Sequence, residues 1–87
     1  MVYETTTTLP AGDVIARAKA FFSDRVPNNA AFPEKEGPAF LTLRGQGGEE
    51  IAIAIMAGEG GHRVRASTLF FDQAVGRFLQ TLPRSAA

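Results

Sequence analysis

The sequence predicts an α+β domain in the order β-α-β-β-β-α, a four-stranded antiparallel sheet with two helices packed on one face. Three observations predict it. Apolar segments of strand length at residues 39–44, 50–57 and 62–69 are separated by glycine clusters. Apolar residues near both ends of the chain recur at spacings of three and four. Residues 2–9 are rich in β-branched and aromatic types.

The first strand covers residues 2–9 and stops at Pro10, which lacks the backbone donor a central strand would use. From there Val14, Ile15, Ala18, Phe21 and Phe22 make a helical stripe over about residues 10–25. Proline suits its first turn, and Asp13 sits near the positive end of the helix dipole. Residues 26–38 hold Pro27, Asn28, Asn29, Pro33, Gly37 and Pro38, a density of turn formers and missing donors that predicts a connecting loop. Phe32 inside it is expected to tuck back onto the core.

The three central strands form a meander, because Gly45, Gly47 and Gly48, then Gly58, Gly60 and Gly61, supply the positive φ values of tight hairpins. Alternation assigns their faces. Leu41, Leu43, Ile51, Ile53, Ile55, Val64, Ala66 and Thr68 point one way, toward the core. Thr42, Arg44, Ala52, Ala54, Met56, Arg63, Arg65 and Ser67 point the other. The first strand is expected beside the last, where its backbone groups find partners. Phe71, Ala74, Val75, Phe78, Leu79 and Leu82 then fall on one stripe of a second helix over residues 70–82, ended by Pro83. Residues 83–87 have nothing to bury and are expected to fray.

With 87 residues there is room for one two-layer domain. Nine basic side chains balance nine acidic ones. The zero net charge removes the cationic footprint that nucleic-acid binding needs, so no nucleic-acid partner is expected. The chain has no cysteine, which excludes thiolate metal sites, disulfides and cysteine nucleophiles and fits a reducing, cytoplasmic compartment. No apolar run approaches the length of a membrane span, and no membrane partner is expected.

Few residues offer chemistry. The glycine clusters lead into strands rather than helices, so they read as hairpin turns rather than phosphate cradles. His62, the lone imidazole, stands at a strand start with Glu49, Glu50 and Glu59 nearby in sequence. One histidine with carboxylates at hairpin ends falls short of a metal site, and no serine has a nucleophile-elbow context. No catalytic residue, metal or cofactor is therefore assigned. The seven phenylalanines are needed to fill so small a core, which places any ligand cavity between copies of the chain rather than inside one.

The outer face is the candidate site. Ala52, Ala54 and Met56 on the middle strand leave a shallow apolar strip open to water, and something is expected to cover it. Arg44, Arg63 and Arg65 on the same face either form an anion-binding patch or are neutralised by neighbours such as Glu50.

The opening Thr5-Thr-Thr-Thr-Leu-Pro-Ala-Gly-Asp-Val14, a strand ending in Leu-Pro before a helix with an acidic first turn, is similar to the start of helix-grip domains. These are the superfamily of START lipid-binding proteins, polyketide cyclases and birch-pollen-type allergens. Antiparallel strands followed by an amphipathic helix over residues 39–82 resemble the same layout, here as a minimal unit. The resemblance implies a curved sheet gripping a helix around a pocket for lipids or other apolar molecules.

Together these features lead to the expectation of a small non-enzymatic module. It associates with itself as a homodimer, or with a protein partner, through the outer sheet face, and an apolar small molecule or lipid is a candidate ligand. The alternative is a small cyclase- or hydrolase-like enzyme using His62 with a nearby arginine or glutamate.

Overall fold

The computed structural model describes residues 1–24, 31–45, 47–58, 60–69 and 71–83. The elements are β1 (Val2–Thr7), α1 (Ala11–Asp24), β2 (Ala31–Gly37), β3 (Phe40–Gly45), β4 (Glu50–Gly58), β5 (Gly61–Thr68) and α2 (Asp72–Thr81). They make one antiparallel sheet in the order β1-β5-β4-β3-β2, with β1 beside the last strand as the sequence predicts. The sheet has five strands, however, not four. Part of the expected loop, at 31–37, is the edge strand β2; residues 25–30 of the predicted helix end and loop, and 84–87 of the tail, lie outside the described residues.

The extra strand has a local explanation. Proline is tolerated on a sheet edge or at a bulge, and β2 is both: its pairing with β3 shifts between Pro33 and Lys35, leaving Glu34 as the inserted residue. Alternation then turns Ala31 inward, fully buried, and Phe32 outward, 49% exposed. The expectation that Phe32 tucks onto the core is thereby corrected. A strand cannot bury both neighbours on one face.

Both helices cover the inner face. Val14, Ile15, Ala18 and Phe22 of α1 and Ala74, Val75, Phe78 and Leu79 of α2 meet Leu41, Leu43, Ile51, Ile53, Ile55, Val64 and Ala66 of the sheet. Where the helices come together, Phe21, Phe22 and Phe78 form a ring cluster with centroids 5.2 to 5.6 Å apart. Pro10 starts α1 by accepting from the Asp13 and Val14 N–H groups. Thr68 anchors the entry to α2: its hydroxyl accepts from the Phe71 N–H at 3.1 Å and donates to the Glu50 carbonyl at 3.2 Å.

One polar link ties β1 to α2. The Tyr3 hydroxyl donates to Asp72 Oδ1 at 2.8 Å, and this bond, with burial and the carboxylate charge, holds the phenol above the ordinary tyrosine range. The protonated phenol is the favoured form. Its contribution to stability is therefore complete below the unfolded tyrosine pKa and is lost as pH rises through the folded one. Because the chain has one tyrosine and no tryptophan, phenolate absorbance reports the group directly. The titration midpoint should lie higher in the parent than in Asp72→Asn, and equal midpoints would remove the assigned role of the bond.

Candidate functional site

The face away from the helices is a grid fixed by strand register. Across its middle run Phe40, Ala54, Arg65 and Glu4 on β3, β4, β5 and β1. One row over lie Thr42, Ala52, Ser67 and Val2. On the other side Met56 pairs with Arg63, which pairs with Thr6. The six residues singled out in the sequence, Ala52, Ala54, Met56, Arg44, Arg63 and Arg65, all occupy this face, because Leu41, Ile51, Ile53, Val64 and Ala66 between them are buried on the opposite one.

The apolar part is larger than those six residues suggest. Phe40, 44% exposed, is the direct cross-strand neighbour of Ala54, and Met56, 42% exposed, stands two residues farther along β4. Phe32 adds a second exposed ring, on the edge strand opposite Arg44. Phe40 was legible, since it precedes the inward Leu41 by one residue. Phe32 was not, because the strand that presents it reads as a loop.

Electrostatics divides the three arginines. Arg44 is enclosed by acceptors: it bonds Glu34 through Nε and Nη2, Glu50 at 3.2 Å and the Gly48 carbonyl at 2.8 Å. Hydrogen bonding to its guanidinium holds the Glu34 carboxyl below the usual range, and the same bond, with the Glu34 and Glu50 charges, holds Arg44 above its own. Arg63 faces Glu4 at 3.7 Å. Arg65 has no carboxylate partner among the described residues, although Glu4 is its register neighbour. Three arginines converging on one anion are thus not what the face presents. Two are matched within the chain, which keeps the surface soluble without contributing much stability.

His62 lies elsewhere. It has the inward parity of Val64, between Thr7 and Ala57, and its Nδ1 is buried without a hydrogen-bond partner. Arg63 and Arg65 project from the opposite side of the same strand, so His62 and these arginines do not share a site. Among the described residues, no three His, Asp or Glu side chains come together as a metal cluster, and no helix is long and apolar enough to cross a membrane.

Comparison with protein-family models, curated proteins and solved structures finds no match to this chain.

Proposed function

We propose that the chain is a small non-enzymatic binding module that pairs with a second copy of itself through the helix-free sheet face. The observation that carries this is the strip of Phe40, Ala54 and Met56, exposed on a sheet whose other side packs against both helices. Contiguous apolar surface of this kind marks an interaction site more often than it stays in water.

Size and charge favour a second copy. Five strands of six to nine residues give a face of roughly 600 Å² at standard strand spacing and rise. Two copies would then bury about 1,200 Å², the lower end for a specific interface. A two-fold axis along β4 lays β5 of one copy across β3 of the other and brings Arg65 over Phe40 of the partner subunit, a cation–π contact. An axis across the strands would instead set Arg65 against its own copy. The first arrangement satisfies the unmatched guanidinium. Self-association by this face needs no helix-grip pocket, and an apolar small molecule held between the copies is compatible with it.

Ala54→Lys tests the interface. Ala54 is exposed and lies mid-strand, so lysine there leaves the core untouched. A charge buried between two faces costs several kcal/mol, and the dimer dissociation constant is expected to rise at least about 100-fold. Sedimentation velocity with unchanged circular dichroism is the readout. An unaltered sedimentation coefficient would exclude this face. The alternative enzymatic reading draws no support from geometry that sets His62 and the arginines on opposite sides of a strand.

A further inference from the structure

Where β1 and β4 begin and β5 ends, Met1, Val2, Glu49, Glu50, Thr68 and Leu69 contribute to the lining of a half-open hollow of about 460 Å³. The volume lies in the range of small-molecule sites. Three of the six large apolar side chains exposed among the described residues meet there: Leu69 at 80% exposure, Met1 at 71% and Val2 at 51%. The charged groups of the lining residues are engaged within the chain or turned away. Glu50 pairs with Arg44 at 3.2 Å, and the Met1 ammonium bonds the Thr68 carbonyl and lies 3.8 Å from Asp72. The buried Oε2 of Glu49 lies over Gly45, where a Cβ would stand 2.9 Å from that oxygen and 2.8 Å from the Phe71 ring, and neither Gly45 nor Phe71 lines the hollow.

We propose that this hollow binds a small neutral apolar molecule, an aliphatic or aromatic body without formal charge, held against Met1, Val2 and Leu69. Apolar side chains scattered singly over a surface need no occupant, but three gathered around one concavity of this size supply the contact surface of a ligand site. The absence of an available charge sets the ligand class. An ionic molecule would shed water there without gaining an opposite charge, whereas a neutral one loses nothing by leaving water. The site does not depend on pairing of two copies through Phe40, Ala54 and Met56.

The probes are toluene, benzoate and benzylammonium, which share one ring and differ in charge, each titrated into the isotope-labelled protein and followed by amide chemical shifts. Toluene is expected to shift residues 48–50 and 67–69 saturably, with affinity at least about tenfold above that of either ion. Leu69→Ser, at a position outside the buried core, should weaken toluene binding severalfold with circular dichroism unchanged. Val2→Ser, also exposed, should do the same and serves as the test if Leu69→Ser fails to fold. Equal binding of all three probes, unchanged toluene binding in the variants, the absence of saturable shifts, or shifts confined to Phe40, Ala54 and Met56 would each overturn the proposal. So would shifts at 48–50 and 67–69 that follow protein concentration without any probe, since they would give the hollow to a second copy of the chain.

Discussion

Gly61→Ala is expected to destabilise the domain by about 3 kcal/mol or more, at the upper end for forced overpacking. A Cβ at this position would lie 2.1 Å from the Thr7 carbonyl oxygen and 3.3 Å from Thr8 Cα, and the residue sits at φ +156°. The obstacle is main chain, so no rotamer relieves it. To make room, β1 must move away from β5 at the Thr7–His62 pair, next to where the Thr8 N–H reaches the Pro83 carbonyl. Gly58→Ala is the internal control, because its new methyl would find its nearest neighbour at 3.9 Å. Urea unfolding midpoints should separate the two variants widely, and similar midpoints would contradict the close approach of β1 to the β4–β5 turn.

Phe78→Ala should cost about 3–5 kcal/mol through lost burial and the cavity left behind. Phe78 is fully buried and in ring contact with Phe21 and Phe22, so it joins α2 to α1 as well as to the sheet. At about 0.05–0.15 kcal/mol per residue, a domain of this length has about 4–13 kcal/mol in all, so the substitution removes a large share of it. The urea unfolding midpoint of the variant is therefore expected to fall far below that of the parent. Phe40→Ala, by contrast, removes a half-exposed ring from the other face and should barely move the denaturation midpoint while weakening self-association. Loss of stability in Phe40→Ala equal to that in Phe78→Ala would mean the two faces are not distinct in role.

Much of this organisation is legible in the sequence. The stripe from Phe71 to Leu82 shows a helix because six apolar residues share one face, and the alternation from Leu41 to Thr68 shows which side of each central strand is buried. The place of β1 beside β5 follows from the cost of an unpaired strand. What stays hidden has physical causes. Strand β2 is an edge strand, paired on one side only, so it tolerates Pro33, a bulge and three consecutive charges that would exclude a central strand. Phe32 and Glu34 are hidden with it, and with them the capture of Arg44. The packing of the Glu49 side chain on Gly45 is equally hidden, because it depends on tertiary placement rather than on any local pattern.

The outer face carries the account, and native mass spectrometry of the protein as purified from cells tests it most directly. The expected spectrum of the parent shows twice the mass of the 9.3 kDa chain, and that of Ala54→Lys shows the single chain. A parent that remains a single chain at concentrations where the variant does too would contradict pairing through Phe40, Ala54 and Met56.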